Sequence, residues 1–311
     1  MDPLLLVARD DVFSASAAQD AGVTGAALAR LVRAGRCVRL TRGWYAVRLP
    51  RDATDRHRLT AIALAREYAG RAVVSHHSAL VLLGLPAHGV DLATVHLTLT
   101  GSERGPASGS AVRRRGLVLH RRLPDPVPPR TGDVPLPSTA AHVPPALAIV
   151  QAGLSGSAVS ALVAADAALH RGVVGRADLD AAIRTLAGRT GIGPVRAALS
   201  QADGRVESVG ESVTGHVVRA LGFVIEPQHE VVVDGRRYRA DFRIAGTRVL
   251  LEFDGKVKYS QGDATVLFDE KRREDALRRA GWVVVRLVWS DLKDPAMVRR
   301  RILAALAMAV A

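Results

Sequence analysis

Cysteine occurs once in the 311-residue chain, at position 37, so no intramolecular disulfide can form and a reducing compartment is expected. Cys37 alternates with apolar residues in a strand-like run, which marks it as a core residue and not a nucleophile. Long apolar runs are absent as well. No stretch approaches the ~20 apolar residues that cross a bilayer, and the Ala-rich tail 302–311 is too short. The apolar run in the opening MDPLLLVARDD is too short for a signal peptide and is followed by acids. A cytoplasmic protein with no membrane partner is therefore expected. Internal repeats are lacking, and no motif supports a Ser-His-Asp triad. Lysine is scarce: four of the 43 basic residues are lysines, at positions 256, 258, 271 and 293, and arginine supplies the other 39.

What the chain does have is positive charge and enough apolar mass to fold. The net charge is +13 at pH 7, and hydrophobic residues make up 48%. Such a surface favours polyanions, of which nucleic acid is the commonest. Arginine, alanine and glycine are all abundant, the mark of a GC-rich genome, so coding bias is the competing source of the charge. At this length two or three domains of ~100–200 residues are expected.

Residues 1–50 read as helices followed by a hairpin. Ser14 caps a short helix stopped by Gly22, and Thr24 caps a second with Leu28, Leu31 and Val32 on its buried face. Two short alternating runs then flank a turn at Arg42-Gly43. This is the order of a winged helix-turn-helix DNA-binding domain. Thr24, Arg30 and Arg33 on the recognition helix, with Arg36, Arg39 and Arg42 along the wing, are the expected contacts to double-stranded DNA. Arginine reaches guanine bidentately or sits on phosphate. A single head reads little sequence, which suits a homodimer.

Residues 51–204 form a mixed region. It has a helix over 58–68, strands at 95–100 and 117–120, a Gly/Ser/Pro loop at 101–109, six prolines from Pro124 to Pro137, and Ala/Leu-rich helices over 139–200. Residues 205–311 change character. A helix over 207–221 precedes strands at 229–233, 237–244 and 248–254, a charged helix over 269–280, a strand at 282–289 and a last helix opened by Pro295. That order predicts an α/β sandwich around a mixed sheet, in a chain that is α/β (α+β overall).

A two-residue turn at Ala245-Gly246 would set Asp241 opposite Leu250. With a side-chain period of two, Asp241, Glu252 and Asp254 then share one face of the sheet, while Phe242, Ile244, Leu251 and Phe253 fill the core. Three carboxylates on one face repel unless a cation sits among them, and Mg2+ or Mn2+ takes such oxygen ligands. Asp241, Glu252 and Asp254 are thus the candidate metal ligands, and two-metal phosphodiester hydrolysis is the chemistry they support. Glu211 on the preceding helix would add a fourth carboxylate, with Glu207 its rival. Lys256 and Lys271 lie within 20 residues of Glu252. A lysine is a compact charge able to orient water or steady a phosphate. The competing reading is a solvated face on which Arg239 and Arg243 pair with Asp241.

Histidines give less. His76 and His77 are adjacent and should point apart, so a shared ion is not expected, and Ser75-His76 reads as a helix N-cap. His216 and His229 stand near the acids, in structural or acid-base roles.

The blocks Tyr238-Arg239-Ala240-Asp241-Phe242-Arg243-Ile244, Leu251-Glu252-Phe253-Asp254-Gly255-Lys256, Glu270-Lys271-Arg272-Arg273-Glu274 and Gly281-Trp282-Val283-Val284-Val285-Arg286 resemble the Vsr-like endonuclease-fold domains of the PD-(D/E)XK nuclease superfamily. By that resemblance Asp241 is the motif Asp, Glu252 the second acid and Glu211 the helix acid. A strict motif would place lysine at position 254, where this chain has Asp254, so the amine would come from Lys256 or Lys271. The N-terminal half, through Gly35-Arg36-Cys37-Val38-Arg39-Leu40-Thr41-Arg42-Gly43-Trp44-Tyr45 and Val74-Ser75-His76-His77-Ser78-Ala79-Leu80, resembles the AbiEi family of type IV antitoxins and transcriptional regulators. That resemblance implies DNA binding through the winged helix and a toxin partner. Together they predict a DNA-binding protein with a Mg2+-dependent endonuclease-like domain. The alternatives are a non-catalytic regulator or antitoxin whose nuclease fold only grips DNA or protein, and a defence component that needs a partner chain.

Overall fold

The computed structural model describes residues 3–100, 111–123, 141–255 and 264–310, with backbone alone for 264–271 and 310. The loop at 101–109 and the proline-rich stretch expected at 124–137 lie outside these residues. The chain forms two compact units, residues 1–164 with 174–196, and residues 165–173 with 197–311.

The first unit opens with α1 (Pro3–Val7), β1 (Val12–Ser14), α2 (Ala15–Asp20), α3 (Gly25–Arg33), β2 (Val38–Thr41) and β3 (Trp44–Ala46). The Ser14 hydroxyl accepts the Ala17 N–H at 3.1 Å and Thr24 accepts the Ala27 N–H at 3.2 Å, each satisfying a donor the helix leaves unpaired. Leu4, Phe13, Ala18, Val23, Leu28 and Cys37 close the core beneath these elements. Strand β1, which the local pattern did not mark, precedes the helix that Ser14 caps as expected. Phe13 pairs with Tyr45 of β3 and stacks on its ring at 5.6 Å, so the helix starts only after the strand has been used.

There follow α4 (Ala53–Glu67), β4 (Ala72–Val74), α5 (His76–Leu82), β5 (Val95–Leu99), β6 (Val112–Arg114), β7 (Leu117–His120), α6 (Pro145–Ser155), α7 (Ala158–His170), α8 (Arg176–Thr185) and α9 (Ile192–Leu199). Helix α4 begins earlier than expected because Asp52 caps it, accepting the Asp55 N–H at 2.7 Å. A second sheet runs β4-β5-β7-β6, with β5 and β7 parallel. Helix α6 runs through Gly153 and ends at Ser155, with Gly156 as its C-cap. A Cβ at Gly153 would meet Ala161 at 2.7 Å and Val195 at 2.9 Å, so the glycine permits close helix packing.

The second unit contains α10 (Val209–Ala220), β8 (Ile225–Val233), β9 (Arg236–Ile244), β10 (Val249–Phe253), α11 (Ala264–Arg279), β11 (Val283–Leu287) and α12 (Pro295–Val310). Its mixed sheet has the order β11-β10-β9-β8, with β10 and β11 parallel. One face carries Phe242, Ile244, Val249, Leu251, Val285 and Leu287 against α10 and α12. The other carries Val231, Val233, Ala240 and Leu250 against Ala276 and Leu277 of α11. This is the expected α/β sandwich. Among the described residues no helix is long and apolar enough to cross a membrane.

Candidate functional site

Around α3 and the β2–β3 hairpin, Arg30, Arg33, Arg36, Arg39 and Arg42 are all exposed. Arg33 and Arg39 make only long contacts of 3.4 Å to the carbonyls of Ala29 and Thr41. No carboxylate among the described residues pairs with any of the five, so their charge faces outward. Thr24 is occupied as the N-cap of α3, and its exposed end lies at the helix entrance. A groove of about 1580 Å³ continues from the hairpin, lined by Arg39, Arg42 and Trp44 and further along by Arg56, Arg114 and Arg115. Five guanidinium groups along one groove can meet a row of phosphates.

The carboxylates of the second unit are built around β9. Leu250 pairs with Arg243 and Leu251 with Phe242, so the same register sets Asp241 beside Glu252 and not Leu250. The β9–β10 turn is longer than two residues, closed by Thr247, whose hydroxyl donates to the Ile244 carbonyl and accepts the Val249 N–H. The shift is two residues, one full side-chain period, so faces are preserved. At Asp241 strand β9 also rotates: Ala240 belongs to the layer under α11 and Phe242 to the layer under α10 and α12. Opposite Asp241 in β8, Gln228 adopts a left-handed φ of 53°. Asp241 therefore stands where the two layers part.

Its Oδ2 accepts the Phe253 N–H at 2.7 Å. Burial, with the charges of Glu211 and Glu252 adding to it, pushes the Asp241 carboxyl up to about 6, against that hydrogen bond and the nearby Arg273. Glu211 reaches the cluster because Gly210 lets α10 lie on Phe253, where a Cβ would stand 1.9 Å from the ring. Glu211 is buried, and its Oε2 accepts Gln228 Nε2 at 2.8 Å and the Glu207 N–H at 3.0 Å. Glu207 is held outside by Arg239 at 2.8 Å. Arg243 turns to Glu226 at 3.5 Å, so neither arginine expected to neutralise Asp241 does so. Glu252 instead is bound by Arg273 of α11 and approached by Arg286 at 3.6 Å. Asp254 extends the sheet past β10, its N–H donating to the Leu287 carbonyl at 2.8 Å. Among the described residues these carboxylates do not gather within 4.8 Å of one another as a three-ligand set. Lys256 and the side chain of Lys271 lie outside the described residues. His216 meets Gln201 at 3.4 Å and His229 meets Glu226 at 3.3 Å, away from Asp241.

One grouping escaped the sequence. His76, His96 and His120 come together in the first unit, each offering a ring nitrogen within 4.8 Å of the others. The parallel pairing of β5 and β7, which sets His96 and His120 on one face, is the signal that could have found them. Ser75 precedes α5 but makes no capping bond; its hydroxyl lies 2.9 Å from His76 Nδ1.

Residues 2–48 match the family described as transcriptional regulator, AbiEi antitoxin. Over 267 residues the chain is 27% identical to an uncharacterized protein found in two strains of Mycobacterium tuberculosis, a match covering 85% of this chain and 91% of the relative. Among solved structures, the catalytic domain of homing endonuclease I-Bth0305I aligns with 33% of this chain and 97% of its own, at 18% identity and a TM-score of 0.26.

Proposed function

We propose that the chain is a transcriptional regulator of the antitoxin type that grips double-stranded DNA through its winged-helix head. The observation that carries this reading is the set of five exposed arginines around α3 and the hairpin, Arg30, Arg33, Arg36, Arg39 and Arg42, none paired with a carboxylate among the described residues, with Arg39 and Arg42 lining an arginine-rich groove. Charge of that kind supplies affinity for phosphate, and those side chains that reach base edges supply sequence preference. The AbiEi likeness of residues 2–48 supports the same reading and makes a toxin the fitting protein partner. Two half-sites would require a homodimer. Gel-shift titration of the duplex upstream of the chain's own reading frame tests it: Arg30→Ala with Arg33→Ala should abolish the retarded band.

A second reading, metal-dependent phosphodiester hydrolysis, is favoured by the crowding of Asp241 with Glu211 and Glu252. Asp241, Glu252 and Asp254 would hold Mg2+ or Mn2+, which when bound polarises a phosphate and lowers the pKa of water. The arrangement fits only in part, because Arg273 and Arg286 already balance Glu252. Glu211, held by Gln228, would add its charge to the acid cluster, and Lys256 or Lys271 would supply the amine. Nicking of supercoiled plasmid with Mg2+ or Mn2+, lost in Asp241→Ala and Glu252→Ala, would establish it.

A further inference from the structure

We propose that His76, His96 and His120 form a three-histidine site for a divalent transition-metal ion, of the Zn2+ class, with an open fourth position. Three separate elements build it: His76 opens α5, His96 lies in β5 and His120 ends β7. Because β5 and β7 are parallel with His96 paired to Val118 and Thr98 to His120, the two histidines project from one face, a residue pair apart. His96 Nδ1 and His120 Nε2 stand 3.0 Å apart. Two nitrogens bound tetrahedrally at 2.0–2.1 Å are separated by about 3.3 Å, so the pair needs only a small opening to take an ion in place of their shared proton. The His76 ring lies 3.8 Å from that of His120 and 5.0 Å from that of His96.

The surroundings are those of a metal ligand. Ser75 Oγ holds His76 Nδ1 at 2.9 Å, leaving Nε2 for the ion, and Gln151 Oε1 accepts the backbone N–H of His76 at 3.2 Å. His76 also adopts a φ of 55°, a left-handed conformation that a non-glycine residue keeps only when its surroundings enforce it. Thr98 Oγ1, buried on the same face beside His120, has no hydrogen-bond partner among the described residues and is available to a fourth, non-protein ligand. Burial keeps the imidazoles neutral, holding His96 down at about 3 and His120 at about 4, so each has a lone pair at neutral pH. Neutral imidazole suits Zn2+, Co2+ or Ni2+ and not Mg2+ or Ca2+, which require oxygen. Arg113 and Arg189 bring positive charge to bear on the cluster, so the fourth ligand is expected to be anionic, hydroxide included. His57 and His77 stand next to the site, but their ring nitrogens are engaged by Ser78, Leu92 and Thr94.

Tag-free full-length protein, stripped with a chelator and titrated with Co2+, should show the visible d–d band of a tetrahedral site at one ion per chain, and Zn2+ should bleach it and raise the melting temperature. His120→Ala and His96→Ala should lose the band, whereas His77→Gln should keep it. Ser75→Ala should weaken the affinity about 10–100-fold. The proposal is overturned if stripped wild-type protein acquires no band and no thermal shift with either ion, or if the band persists in a folded His120→Ala variant.

Discussion

Asp241 Oδ2 takes the backbone N–H of Phe253 at 2.7 Å, so a side chain occupies the place of a ladder carbonyl where β9 and β10 part. That bond holds a carboxyl group in a buried position that Glu211 and Glu252 make electrostatically unfavourable. The result is a carboxyl pushed up to about 6.

A raised acid pKa means that the folded state binds a proton which the unfolded chain has released. Stability from Asp241 is present at low pH and is lost as pH rises from near 4 through about 6. Asp241→Asn should keep the bond to Phe253 and raise the melting temperature by a few degrees at pH 7, with the difference vanishing near pH 4. Thermal melts of the two proteins across that range check this. Asp166, also raised by burial to about 6, is common to both and drops out of the difference.

Arg273 is the cation that opposes Asp241's neighbours. Arg273→Gln should raise the Asp241 midpoint further and deepen its cost at neutral pH. If the cluster takes Mg2+, the same variant should bind it more tightly, because Glu252 is released. Calorimetric titration of both proteins with Mg2+ provides the comparison.

Gly210 sets how closely α10 approaches the sheet. In Gly210→Ala the new Cβ would collide with the Phe253 ring, destabilising the second unit by about 1–3 kcal/mol in urea. Adding Phe253→Leu should recover part of the loss; no recovery would place the defect elsewhere.

In the first unit Arg48 binds Asp55 with two bonds of 2.5 and 2.9 Å and reaches Asp11 at 2.7 Å. Hydrogen bonding from Arg48 holds the Asp55 carboxyl well below the usual carboxylate range. Its stability is therefore present above pH ~4 and is lost as pH falls through the depressed pKa. Asp55→Ala, which leaves the arginine without its buried partner, should cost about 2–4 kcal/mol. Denaturation followed with Trp44, which lies in this unit, measures it.

Much of this was legible beforehand, for identifiable reasons. Ser14 and Thr24 capped as expected because capping depends on a residue and its neighbours three positions on. The face shared by Phe242, Ile244 and Leu251 followed from period two. The pairing of Asp241 did not, because Thr247 closes a longer turn than Ala245-Gly246 alone suggests. The engagement of Glu252 by Arg273 and the meeting of His76 with His120 depend on packing between distant segments, which local pattern does not encode. Adjacent His76 and His77 both pack against the His96 ring, and His76 finds its partners on two strands.

The salt dependence of duplex affinity tests the head as a DNA grip most directly. Fluorescence anisotropy of the duplex upstream of the reading frame, repeated across NaCl concentrations, should give a linear log–log plot that flattens by about 1 in slope for each of Arg30, Arg33 and Arg39 replaced by alanine. Absence of binding at low salt, or a slope unchanged by those replacements, would contradict it.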